Sequence, residues 1–333
     1  MATDPPPAPA SGPADPPVLR VTREIPVPAS VSDAARAVLT SAAALAAAPS
    51  PSPPADDWAA WEAHIAATDA MILMMVGPAA DRFTGTVETV AVGGIDTFVL
   101  TPEGAPTDSV VLDVHGGGLV FGAGPAARAM ACGRAGGLRR VVWSPDYRMP
   151  PAHPYPTALD DCLAVYRHLL EVHPPERIVV CGASAGGNLA AALMLRVRDE
   201  GLALPAGLVL VSPEVDLTES GDSFAVNLGV DHTLGSLREA NLLYADGRDL
   251  TDPYLSPLFA DYSGAWPRTI LTTGTRDLYL SNTVRLHRRL RAAGHTAELH
   301  VWEAMAHAGF QGAPEDLEQI AELRRFVDAC LDG

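Results

Sequence analysis

The sequence contains no lysine: all 23 basic residues are arginine, set against 40 acidic ones for a formal net charge of −17 over 333 residues. With no amine side chain, Schiff-base and ammonium chemistry are excluded. The acid excess repels phosphate backbones and anionic lipid heads, so neither nucleic acid nor a membrane surface is an expected partner. Cysteine is also scarce. Cys132, Cys162, Cys181 and Cys330 lack the paired spacing of a metal site. They are too few for a disulfide framework in a chain of this length, and are expected as buried thiols. No uninterrupted apolar run reaches the roughly 18 residues of a membrane span. The alanine-rich stretch 34–48 starts too far from the N-terminus for a signal sequence, and the opening residues carry Asp4 and no basic group. A cytoplasmic location is the resulting expectation.

What is present reads as a globular chain rather than a disordered or fibrous one. Hydrophobic residues make up 48% of the chain and charged ones 19%. The length allows one large domain or two ordinary ones, with about three quarters of the unfolded surface buried. Residues 1–18, rich in proline, are expected to form a disordered or extended tail outside the fold. Residues 19–82 should hold a two-helix element. Its first helix is capped by Ser32 or Asp33 and runs to about Ala47; its second runs from Asp57 to Val76, ending before Gly77-Pro78. Met71, Met74 and Met75 on that second helix either line a cleft or pack as core.

From Val87 onward, short β-type runs alternate with helical stretches, the pattern of an α/β domain with a largely parallel sheet. Strands are predicted at Thr86–Val92, Thr97–Leu100, Ser109–Val114, Arg140–Ser144, Arg177–Cys181, Leu208–Val211, Thr269–Thr273 and Ala297–Val301. The clearest helices are Pro156–Leu170, Ala185–Arg198, Thr283–Ala293 and Glu315–Leu331. This domain spans residues 83–333 and carries an insertion at about 216–252, too long for an ordinary connection and helical from Leu234 to Tyr244.

Two glycine-bearing motifs follow strands. Gly182-Ala183-Ser184-Ala185-Gly186-Gly187 sits between the run ending at Cys181 and an alanine-rich helix. A sharp strand-to-helix turn forces its central residue into a strained conformation, and the positions two before and two after must be glycine or very small. Such a turn presents the Ser184 hydroxyl at the positive end of a helix. The alternative is a turn of small residues that serves helix packing alone. His115-Gly116-Gly117-Gly118 follows the strand Ser109–Val114, and successive glycines let backbone N–H groups face a developing oxyanion. Gly117, Gly118 and Ala185 are the candidate donors. His115 either fastens this loop or acts as the base.

A serine hydroxyl needs a base, and the base needs an acid to fix its tautomer. Asp277 and His307 each follow a predicted strand, in the chain order serine, acid, histidine. Glu303, four residues before His307, is a competing acid. His287, His295 and His300 fall inside a helix, before a strand or within one, and are expected to be surface or packing residues.

Together, His115–Gly118, the stretch Asp146–Pro156 leading into Ala158-Leu159-Asp160-Asp161, the Ser184 turn with Asn188, Asp277 and His307 resemble the bacterial hormone-sensitive-lipase-like carboxylesterases (family IV). The resemblance covers about Val87 to the C-terminus. It implies an α/β-hydrolase fold with a helical cap built partly from the N-terminus, Ser184, Asp277 and His307 as catalytic triad, no cofactor, and short-chain acyl esters as substrates. It also makes Asp146–Asp161 a structural support. The chain departs from the family pattern at Ala183, where an aspartate is usual, and at Ala308-Gly309, where one residue usually precedes the phenylalanine. The run Arg276–Asn282 is similar to members that hydrolyse terpene-derived lactones, so a lactone is the alternative substrate. A ligand-binding protein on the same scaffold and an interfacial lipase are the remaining readings. Family members often pair through an edge strand or the C-terminal helix, which makes a homodimer possible.

Overall fold

The computed structural model describes residues 18–45 and 52–332. The tail expected over residues 1–18 therefore lies outside the described residues save for Val18, as does the expected end of the first helix at Ala47. Helices α1 (Asp33–Leu45) and α2 (Trp58–Asp81) precede the hairpin of β1 (Gly85–Val92) and β2 (Ile95–Pro102). There follow β3 (Val110–Val114), α3 (Pro125–Leu138), β4 (Val142–Pro145), α4 (Thr157–Val172), β5 (Ile178–Ala183), α5 (Ala185–Asp199) and β6 (Gly207–Val211). After β6 come the short α6 (Ser223–Val226), α7 (Arg238–Ala245), β7 (Arg268–Gly274), α8 (Leu280–Ala292), β8 (Ala297–Trp302) and α9 (Pro314–Leu331).

The strands form one eight-stranded sheet in the order β1-β2-β4-β3-β5-β6-β7-β8. β2 runs antiparallel to β1 and β4, and every other pairing is parallel. The parallel strands are apolar on both faces because both are covered. Leu112, Val180, Leu208, Leu210 and Leu271 point toward α4, α5 and α8, where Leu159, Leu189 and Leu286 meet them. Their neighbours Val111, Val179, Val209 and Ile270 point the other way, onto α3 and α9. The carboxyl ends of β3, β5, β6, β7 and β8 thus open along one rim, where an α/β sheet carries its site.

Three features differ from the sequence expectations. The helix α3 was not among the clearest helices named from the sequence, and its run holds Gly133, Gly136 and Gly137. Gly137 is a place of close approach, where a methyl would stand 3.2 Å from Ile320 Cγ2, whereas one on Gly133 would make ordinary contact with Ala79 Cβ at 3.4 Å. Helix α2 passes Gly77-Pro78 and ends at Asp81, since Ala80 and Phe83 pack into the core beneath α3 and offset the hydrogen bond that Pro78 lacks. Met71, Met74 and Met75 neither line a cleft nor enter the core; they are 52%, 75% and 64% exposed on the outer face of α2. By length and composition α2 is apolar enough to cross a bilayer, although Glu62 and Asp69 break its apolar runs.

Each segment outside the sheet leans on one loop of the rim. Val31, Ala35 and Leu39 of the α1 region pack on Ala304, Met305, Phe310 and Ala313, the loop after β8. Trp61 of α2 and Ala240 and Leu243 of α7 enclose Val120 and Phe121 in the loop after β3. Ser32 caps α1, its hydroxyl accepting from the Ala35 N–H and donating to Glu315 of α9.

Candidate active site

Ser184 sits at the N-cap of α5 with φ 56° and ψ −124°, a conformation costly for any residue with a side chain. The turn is held by its surroundings. The Ser184 N–H donates to Val211 O at 2.9 Å and its carbonyl accepts from Glu214 N at 3.0 Å. A methyl group on Gly182 would lie 2.1 Å from Gly186 O, and one on Gly186 2.0 Å from Val114 O. Both positions are closed to any larger residue, so the hydroxyl is raised above the sheet rim on a rigid turn.

Two further loops converge on that hydroxyl. His307 Nε2 lies 2.8 Å from Ser184 Oγ, and His307 Nδ1 lies 3.1 Å from Asp277 Oδ1. The Asp277 carboxylate is fully buried and also accepts from Thr273 Oγ1 at 2.7 Å and from Tyr279 N at 2.8 Å. Burial alone would raise its pKa, but the charge and hydrogen bond of His307, with hydrogen bonds from Ser212 and Thr273, carry it below the ordinary carboxylate value. Burial likewise works against a charged His307. The charge and hydrogen bond of Asp277, followed by the charges of Asp231 and Glu214, outweigh it, and the imidazole is more basic than an ordinary histidine. Tyr279 packs edge-on against the ring at 4.8 Å.

The glycine-rich loop passes beside Ser184: a methyl on Gly116 would stand 3.3 Å from Ser184 Cβ. The backbone N–H groups of Gly117, Gly118 and Ala185 donate to no group among the described residues. His115 is buried and stacked on Tyr147 at 4.1 Å, with Nδ1 2.8 Å from Gly116 O. Burial depresses its pKa to about 4, so it is a neutral packing group and His307 is the imidazole at the serine. Tyr147 OH donates to His115 O at 2.8 Å, Asp146 Oδ1 accepts from Gly124 N at 2.9 Å, and Arg148 is paired with the buried Asp161 at 2.7 Å. The stretch from Asp146 to Asp161 therefore braces this loop.

Glu303 is exposed and makes no contact with His307, so the competing acid falls away. His295 Nε2–H donates to Tyr262 O at 2.7 Å, and His300 lies on β8 near Glu298; neither approaches Ser184. The extra residue at Ala308-Gly309 is absorbed by Gly309 at φ 73°, while Asp316 of α9 accepts from Phe310 N and Gly312 N.

Residues 111–311 match the family model of the alpha/beta hydrolase fold. The chain belongs to this family. The hydrolase is 31% identical over 234 residues to an esterase of Acinetobacter venetianus, covering 67% of this chain and 77% of that one. The solved structure of esterase E25 superimposes with a TM-score of 0.84 at 34% identity, over 93% of this chain and 97% of the other. An esterase from the bacterial hormone-sensitive lipase family superimposes with a TM-score of 0.79 at 30% identity, over 90% and 99% of the two chains. The resemblance read from the motifs is thereby borne out, and the hydrolase is a bacterial hormone-sensitive-lipase-like member.

Sequence reasoning missed four groups around the hydrolase site. Asp69 of α2 accepts from Gly122 N at 2.6 Å. Asp231 of the insertion accepts from Leu278 N at 2.9 Å and from His307 N at 3.3 Å. Asn227 Nδ2 donates to Asp277 O at 2.9 Å. Glu214 is fully buried two residues after Ser212, and burial pushes its pKa up to about 7. Tyr279 and Asn241 come up to this carboxyl and lower it somewhat, yet neither reaches good hydrogen-bond geometry. No periodicity marks such residues; only the local pattern Asp231-His232-Thr233, an acid bonding its own chain two residues on, offered a signal.

Proposed function

We propose that this carboxylesterase cleaves small or short-chain esters through an acyl-enzyme on Ser184, with Asp277 and His307 completing the triad. The observation that carries the reading is the unbroken chain from Ser184 Oγ to His307 Nε2 at 2.8 Å and from His307 Nδ1 to Asp277 at 3.1 Å. In the first half-reaction Ser184 Oγ passes its proton to His307 Nε2 and bonds to the substrate carbonyl carbon. The carbonyl oxygen takes the negative charge, and the Gly117, Gly118 and Ala185 N–H groups supply hydrogen bonds to it. His307 then gives the proton to the alkoxide as the ester C–O bond breaks. In the second half, water loses a proton to His307 and attacks the acyl carbon; His307 returns that proton to Ser184 Oγ as the carboxylate leaves. The N-terminal helices and the 216–252 insertion act as the cap over this rim.

Replacing Ser184 by Ala should lower hydrolysis of a short-chain p-nitrophenyl ester by at least about a thousandfold. Wild-type turnover in that variant would remove the assignment. The lactone alternative rests on the run Arg276–Asn282. A seven-membered lactone turned over faster than an acyclic ester of similar size would favour it, with Ser184→Ala as the blank for both.

A further inference from the structure

The insertion between β6 and β7 wraps the two loops that carry the acid and the base. Asp231 is its centre, buried, with all its acceptor positions engaged. Oδ1 accepts from Thr233 N at 3.0 Å, Thr233 Oγ1 at 2.8 Å and Leu234 N at 3.1 Å, which fixes the carboxylate to its own turn. Oδ2 accepts from Leu278 N, the residue after Asp277, and from the N–H of His307 itself. One side chain therefore grips the backbone of both loops. The same strand of chain adds Asn227, whose amide donates to Asp277 O and, at 3.3 Å, to Thr275 O. Ser223 Oγ donates to Leu278 O at 2.6 Å, and Thr233 Oγ1 accepts from Ala308 N at 3.4 Å.

We infer that Asp231 is a positioning residue of the hydrolase: it sets the distance between Asp277 and His307 and places a second negative charge beside the imidazole that becomes cationic in each half-reaction. The inference rests on the triad reading above. Charge near the histidine matters because an imidazolium forms in a water-poor site, where a carboxylate a few ångströms away acts far more strongly than in solvent. Among the described residues the titratable groups facing His307 are Asp277 and the ring of Tyr279 from the β7–α8 loop, Asp231 from the insertion and Glu214 from the loop after β6. The α1 region packs on this loop through the uncharged Val27, Val31, Ala35, Val38 and Leu39.

The test is the pH dependence of kcat/KM. Neutral His307 is the base, so the rate falls as pH drops through its pKa in the free enzyme. Carboxylates hold that pKa up; removing one lowers it. Asp231→Asn should therefore shift the acid limb to lower pH by about half a unit or more, while kcat per active site falls about tenfold and KM stays within about twofold. Titration with a fluorophosphonate counts the active sites, so a loss of folded protein does not imitate the effect. Asp231→Glu, which keeps the charge, should return the acid limb to its wild-type position. If Asp231→Asn fails to accumulate, Asp231→Ser is smaller, equally uncharged and carries the same expectation. An acid limb and a kcat per site equal to wild type in either uncharged variant would overturn the inference. Wild-type activity in His307→Ala would instead overturn the triad reading beneath it.

Discussion

The N–H of Gly122 donates to Oδ1 of Asp69 at 2.6 Å, joining α2 to the loop that carries Gly117 and Gly118 across 53 residues of sequence. Two acids hold this loop, Asp69 on Gly122 and Asp146 on Gly124, and each is raised above the ordinary carboxylate value, chiefly by burial. Asp69→Ala frees one end of the loop and removes a hydrogen bond assisted by charge. On the proposed mechanism the expected result is a fall in kcat of about tenfold with KM little changed, because oxyanion donors are used more in the transition state than in the ground state. Steady-state kinetics on a short-chain ester would decide this, and an unaltered kcat would show that the loop holds its shape without α2.

Glu214 should make the folded state sensitive to pH for a reason separate from catalysis. Its carboxyl, pushed up to about 7 by burial, stays protonated in the fold over a range where the unfolded chain, near 4.5, has released the proton. The stabilising difference is complete below the unfolded value and is lost as pH rises through the folded one. Stability should therefore fall between those limits, by on the order of a few kcal/mol from this group. Glu214→Gln should flatten that decline. Thermal unfolding at about pH 5 and about pH 8 compares the two proteins, and equal slopes would speak against a buried neutral acid.

The loop after β8 depends on Gly309. A methyl there would stand 2.4 Å from Asp316 Oδ1, in a backbone conformation of φ 73° that disfavours side chains. Gly309→Ala should cost about 1–3 kcal/mol and lower activity by displacing His307 two residues earlier. Asp316→Asn, which keeps the glycine, should lower stability less. Urea denaturation with activity measured in parallel would test the pair. Lost stability with full activity would mean that the loop strain is not felt at the histidine.

The parts of the site that were legible in the sequence share one property: each is fixed by a local rule. The Gly182–Gly187 turn needs glycine where backbone atoms nearly touch, and the strand, loop and helix around it have distinct periods. Asp277 and His307 could be named because each follows an apolar strand. Asp69, Asp231 and Glu214 escaped because their meaning arises only when loops far apart in sequence meet; alone, each is one acid among 40. Helix α3 was hidden by its three glycines, of which Gly137 answers to the close approach of Ile320 on α9. The misreading of Met71, Met74 and Met75 has a related cause. Helical spacing shows that the residues share a face, but not whether another element covers it.

The packing of Val31, Ala35 and Leu39 on the loop of His307, with Ser32 bound to Glu315, brings the earliest described helix against the latest. The surface on which α1 packs is supplied by the segment from Ala304 to Glu315. The loop that carries His307 is thus clamped between segments from the two described ends of the chain, so that loosening either end would be felt at the imidazole.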